Sequence, residues 1–91
     1  PIKFGGEDQR KMEIKLFAFL ADQLGEQITV ALDEPVTAQQ ILTTVREQYP
    51  KVSSALKDAT VAINQTFVTD DQSFQLAAIH EIALIPPVSG G

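Results

Sequence analysis

Residues 36–50 read Val-Thr-Ala-Gln-Gln-Ile-Leu-Thr-Thr-Val-Arg-Glu-Gln-Tyr-Pro. Thr37 and Gln40 stand at capping-box spacing, each placed to cap the other's free backbone N–H. Val36 and Ile41 occupy the staple positions on either side of that cap. Ile41, Leu42, Val45 and Tyr49 recur at helical spacing, and Pro50 ends the run. This is one amphipathic helix of about twelve residues. Its single apolar stripe requires a sheet to cover it.

Strand patterns lie on both sides of the helix. In residues 12–20, Met-Glu-Ile-Lys-Leu-Phe-Ala-Phe-Leu, the positions Ile14, Leu16, Ala18 and Leu20 share one face. Glu13, Lys15, Phe17 and Phe19 share the other, which begins charged and becomes aromatic. Ala21 to Leu24 has room for one helical turn before Gly25. Ile28, Val30 and Leu32 alternate inward in a second strand, and the short connection predicts an antiparallel hairpin. After the helix, Val52 to Leu56 reads as a short irregular or helical link. Val61, Ile63 and Val68 point inward around an Asn64-Gln65 turn. Phe74 and Leu76 pack from an irregular stretch, and Ile82 and Leu84 belong to a last strand stopped by Pro86-Pro87.

The order is strand, strand, helix, strand, strand, strand. It predicts an α+β domain, a mixed sheet of four to five strands with one main helix on one face. The first and last strands lie side by side and parallel at the centre, the ubiquitin-like β-grasp arrangement. The chain of 91 residues has room for one such core. Residues 1–11 break the pattern with Gly5-Gly6 and several charges. They read as a remnant of expression or processing, or as a flexible tail, with the domain proper over 12–87 and a flexible tail over 88–91.

Composition narrows the chemistry. Seven basic residues against 12 acidic give a net charge of −5, which argues against a nucleic-acid binder. There is no cysteine, hence no disulfide framework, thiolate metal site or cysteine nucleophile. A reducing cytoplasm fits. No apolar run reaches the length of a membrane helix. His80, the one histidine, reads as an exposed turn residue. Asp70-Asp71 reads as a solvated turn, far short of a calcium site. Ser53-Ser54 lacks a nucleophile-elbow context, and no glycine-rich phosphate loop follows a strand. No bound cofactor or metal is expected, and the chain does not read as an enzyme by itself.

Two features remain. Gly90-Gly91 ends the chain in a carboxylate free of side chains, on an arm stiffened at its base by Pro86-Pro87. Residues 86–91, fully extended, reach roughly 20 Å, enough to enter a narrow channel in another protein. A carboxylate becomes an acyl donor only when activated, for instance as an acyl-adenylate. The other feature is a set of outward-parity apolar residues, Phe17, Phe67 and Ile85, which form one exposed patch if their strands are neighbours. The competing reading folds Phe19 and Phe67 under a loop against each other.

The ending Ala83-Leu84-Ile85-Pro86-Pro87-Val88-Ser89-Gly90-Gly91 resembles the signature of the molybdopterin synthase small subunits, a family of β-grasp sulfur carriers. Ala62-Ile63-Asn64-Gln65-Thr66-Phe67-Val68 resembles the family's hairpin, and Ile14-Lys15-Leu16-Phe17-Ala18 its first strand. The resemblance covers residues 12–91. It implies that a ubiquitin-activator-like enzyme uses ATP to adenylate the Gly91 carboxylate and that a sulfur donor protein then leaves a thiocarboxylate. It implies that the tail, Pro86, Pro87, Val88, Ser89 and Gly90, inserts into the large synthase subunit and delivers sulfur to cyclic pyranopterin monophosphate. Two carriers on a dimer of large subunits, and a cytoplasmic location, are implied as well. By the same resemblance Phe17, Phe67 and Ile85 face the partner. The stretch Ala78-Ile79-His80-Glu81 departs from the family's Asp-Gly-type turn, and Ala21 stands where many members carry Arg or Lys. A related carrier for thiamin, cysteine or tRNA thiolation, a ubiquitin-like protein modifier, and a plain interaction domain with an inert tail are the competing readings.

Overall fold

The structure, a computed structural model, describes residues 9–86. Five strands form one sheet in the order β2-β1-β5-β3-β4, with β1 Gln9–Leu16, β2 Gln27–Asp33, β3 Thr60–Ile63, β4 Thr66–Phe67 and β5 Ile82–Ile85. β1 and β5 run parallel at the centre, pairing Ile14 with Ile82 and Leu16 with Leu84. The remaining pairs, β1 with β2, β3 with β5 and β3 with β4, are antiparallel. This is the mixed β-grasp sheet expected from the order of elements.

The main helix, α2 (Ala38–Gln48), lies across one face. Ile41 and Val45 from the helix and Ile14, Leu32, Ile82 and Leu84 from the sheet are essentially inaccessible to water. Val36 and Ile41, the staple pair, are both fully buried. Thr37 caps the helix, its Oγ1 accepting from the Gln40 N–H at 3.1 Å. The capping box is only half formed. The Gln40 amide does not return to Thr37 but donates to the carbonyls of Asp33 and Pro35, each at 2.9 Å. Beyond Tyr49, a 3₁₀ turn (Pro50–Val52) and one short helical turn, α3 (Ser53–Leu56), bury Val52 and Leu56 in the same core.

Three features differ from the sequence reading. β1 begins at Gln9, not Met12, because the backbones of Arg10 and Lys11 continue the ladder opposite Leu32 and Ala31 while their side chains stay exposed. Residues 9–11 therefore belong to the sheet and not to a flexible lead-in; residues 1–8 lie outside the described residues. β1 also ends earlier, at Leu16. Ala18, at φ 53°, turns the chain out of the strand into α1 (Ala18–Leu24). Leu20 is therefore buried from a helix, and Phe19 is a helical residue. The loop before β5 contains a 3₁₀ turn at Leu76–Ala78.

That loop is tied down at several points. Val36 and Phe74 exchange two backbone hydrogen bonds, at 2.8 and 2.9 Å. A Glu34 carboxylate oxygen accepts from the Leu76 N–H at 2.7 Å. Asn64 and Gln65 both adopt positive φ, 55° and 69°, in the tight turn between β3 and β4. Asn64 Oδ1 accepts from the N–H groups of His80 and Glu81, and its Nδ2 donates to Ala78 C=O at 2.9 Å. One asparagine thus sets the approach to β5 in a stretch that lacks an Asp-Gly-type turn.

Candidate functional site on the outer sheet face

The face of the sheet away from α2 is graded. Strand register places Phe67, Ala62, Ala83, Lys15 and Gln27 in one transverse row. One step along the strands, away from the tail, Glu81 and Glu13 stand level with each other. One step toward the tail, Ile85 stands beside Thr60, and Phe17 follows Leu16 on the neighbouring strand at the same level. Polar side chains occupy one end of the face, and apolar side chains occupy the end from which the chain leaves the sheet.

The three apolar residues singled out by parity therefore share one face. Phe17 and Ile85 are on adjacent strands, and Phe67 lies two strands beyond Ile85. Three strand spacings put the backbones of Phe17 and Phe67 about 15 Å apart. The floor between them is Ala62 and Ala83, both buried among larger neighbours of their row. Phe17 is 47% exposed and Phe67 65%, and Ile85 is half-buried. Phe19 is 50% exposed, so Phe19 and Phe67 are not folded away against each other. Phe17, Ile85 and Phe67 thus leave apolar surface on this face open to solvent.

The polar end is organised too. Lys15 Nζ lies 3.3 Å from a Glu81 carboxylate oxygen, whose partner oxygen accepts from Gln65 Nε2 at 3.3 Å. This contact spans β1, β5 and the β3–β4 turn. It supplies a polar rim beside the patch, with little energy of its own because it is exposed. A groove of about 500 Å³ opens on the other side of Phe17, lined in part by Lys15, Ala21 and Glu26. Ala21 is half-buried there.

Pro86 follows β5 directly and is buried. The tail residues Pro87, Val88, Ser89, Gly90 and Gly91 lie outside the described residues. What positions the tail is legible nonetheless. β5 is a central strand fixed on both edges, so its exit point beside Phe17 is held rigidly.

The remaining polar candidates do not converge. His80 is exposed, its backbone N–H donating to Asn64. Asp70 and Asp71 are exposed in a turn where Thr69 Oγ1 hydrogen-bonds to Asp71 Oδ1 and the Thr69 N–H donates to Gln72 Oε1. Among the described residues no group of three or more His, Cys, Asp or Glu side chains is placed to hold a metal ion. No helix among them is long and apolar enough to cross a membrane.

Comparison with known proteins places the chain in a family. The ThiS family matches residues 14–91. The molybdopterin synthase sulfur carrier subunit of Dictyostelium discoideum is 36% identical over 84 residues, covering 89% of this chain and 96% of that protein. The protein of the same name from Caenorhabditis elegans is 35% identical, covering 84% and 93%. Among solved structures, SAMP1 from Haloferax volcanii superposes with a TM-score of 0.68 at 31% identity, covering 90% of this chain and all of that one. The chain belongs to the ThiS family, a family of ubiquitin-like β-grasp domains, with relatives named molybdopterin synthase sulfur carrier subunit among its members.

Proposed function

We propose that this protein is the sulfur carrier subunit of a molybdopterin synthase. The observation that carries the proposal is the coincidence of a Pro-Pro-Val-Ser-Gly-Gly ending with an apolar face at the exit of β5, in a chain whose relatives carry that name. The Gly91 carboxylate attacks the α-phosphorus of ATP on a ubiquitin-activator-like enzyme, releasing pyrophosphate and forming an acyl-adenylate. Sulfide-level sulfur from a sulfur donor protein attacks the acyl carbon, AMP leaves as the C–O bond breaks, and a thiocarboxylate remains. The tail from Pro86 to Gly90 threads into the large subunit, and glycine at its tip lets the backbone pass where a β-carbon would clash. Sulfur then passes to cyclic pyranopterin monophosphate, and water cleaves the acyl–sulfur bond to return Gly91 to its carboxylate.

On this reading the chain binds no cofactor, and ATP belongs to its activating partner. Phe17, Phe67 and Ile85 dock against the large subunit, in a complex of two carriers and two large subunits. Fixing the patch beside the tail's exit aligns the arm with the partner's channel before it enters, which reduces the orientational cost of delivery. The assembly works in the cytoplasm, where ATP is available. Removing Gly90 and Gly91 tests the proposal with the large subunit and the pterin precursor present. The shortened chain is expected to fold and to bind the large subunit while forming no molybdopterin. Sulfur transfer by the shortened chain would overturn the reading.

A further inference from the structure

The sheet has two edges, and they are protected differently. β4 is two residues long, too short to template another strand. β2 is seven residues long and carries no Lys, Pro or bulge, the usual means of blunting an edge. Its edge is covered from the helix instead.

The register shows how. The Leu16 N–H donates to Glu26 C=O at 2.9 Å, which makes that pair hydrogen-bonded in the β1–β2 ladder. Counting by alternation, Gln27, Thr29, Ala31 and Asp33 turn their backbone N–H and C=O groups away from β1, toward the open edge. Those are the groups that α2 reaches. Gln40 Oε1 accepts from the Asp33 N–H at 2.8 Å while its Nε2 donates to Asp33 C=O at 2.9 Å, so one side-chain amide satisfies both outward groups as a neighbouring strand would. Gln48 Nε2 donates to Thr29 C=O at 3.2 Å. Eight helical residues separate the two glutamines, about 12 Å of rise. Four strand residues separate Thr29 from Asp33, about 13 Å. The helix runs antiparallel to β2 with matching spacing, so both amides land on outward positions.

We propose that Gln40 and Gln48 guard the β2 edge against pairing with a second copy of this chain. Edge pairing needs neighbouring outward positions with both groups open, and the two amides leave no such pair. The Asp33 groups and the Thr29 carbonyl are occupied, which isolates Ala31 from Gln27. A second copy is the relevant intruder because antiparallel β2–β2 pairing is self-complementary and closes as a two-fold dimer. From Gln27 to Ala31 the strand has no charge to oppose it. The guard holds the β2 edge closed while the outer face stays open, and it does not depend on which pathway the carrier serves.

The test is self-association of the Gln40→Ala/Gln48→Ala double variant, followed by sedimentation velocity and native mass spectrometry over a dilution series. The double variant is expected to dimerise at least roughly tenfold more tightly than the parent chain. Adding Ala31→Lys to it, a charge on the reopened edge, is expected to restore the parent behaviour. Thr37→Ala weakens the helix cap but leaves both amides in place, and it is expected to associate no more than the parent. A folded double variant that associates no more than the parent overturns the proposal. So does a Thr37→Ala variant that associates equally with the double variant, since association would then follow lost stability and not the uncovered edge.

Discussion

The two faces of one sheet differ in almost every physical respect. The inner face is aliphatic, closed by α2, and its large residues are fully buried. The outer face has an alanine floor and exposed phenylalanines, with a salt-bridged polar end. Both are built by the same strands, one residue apart in parity. Burial on the inner side stabilises the domain, at roughly 1.5–3 kcal/mol for a fully buried aliphatic side chain. The outer phenylalanines contribute little to that total while exposed. On the proposed reading they act when the large subunit covers them.

The largest effect expected from breaking this contrast is on the inner face. Ile41→Ala opens a cavity under α2 and is expected to cost about 2–5 kcal/mol in chemical denaturation, with partner affinity unchanged in the molecules that remain folded. The reverse pattern is expected outside. Phe17→Ala combined with Phe67→Ala is expected to change stability by less than about 1 kcal/mol. The same pair is expected to weaken binding to the large subunit by at least about 2 kcal/mol in calorimetry, as central aromatic anchors do. Equal losses of stability and affinity would erase the distinction between the faces.

Asn64 lies between these extremes. It belongs to neither face, yet it anchors the start of the strand that carries the tail. Asn64→Ala removes a side chain with three hydrogen bonds to the loop before β5. It also leaves a non-glycine residue at positive φ. A loss of about 1–3 kcal/mol in thermal or chemical unfolding is expected. The smallest effect sharpens the comparison at the corner joining the two faces. Ala18 sits in the left-handed region, where glycine is unstrained. Ala18→Gly is expected to leave stability within about 1 kcal/mol of the parent, relief of strain being offset by the freer unfolded chain. A loss well above that would mean that the Ala18 methyl packs against something essential.

Much of this contrast was legible in the sequence, and the reasons differ by residue. Alternation in Ile28, Val30 and Leu32 and again in Val61 and Ile63 fixes which face is inner, so Phe17, Phe67 and Ile85 follow as outer. The helix was legible because cap, staple and stop agree. The end of β1 was not. Leu16, Leu20 and Leu24 recur at both strand parity and helical spacing, so Leu20 suits either, and only the positive φ of Ala18 separates them. The start of β1 was hidden for the opposite reason. Residues 9–11 are polar and pair through backbone alone, which leaves no periodic signature. The edge guard was invisible because Gln40 matches a capping box, and nothing local shows that its amide turns toward Asp33. The exit of the tail beside Phe17 follows from the parallel pairing of the first and last strands, which the order of elements predicts.

The most direct test of the carrier reading is the intact mass of the protein after incubation with a competent adenylating enzyme, ATP and a sulfur source. The account predicts a product in which one terminal oxygen has become sulfur, absent when Gly91 is deleted. An unchanged mass, with the adenylating enzyme shown to be active on its own substrate, would contradict it.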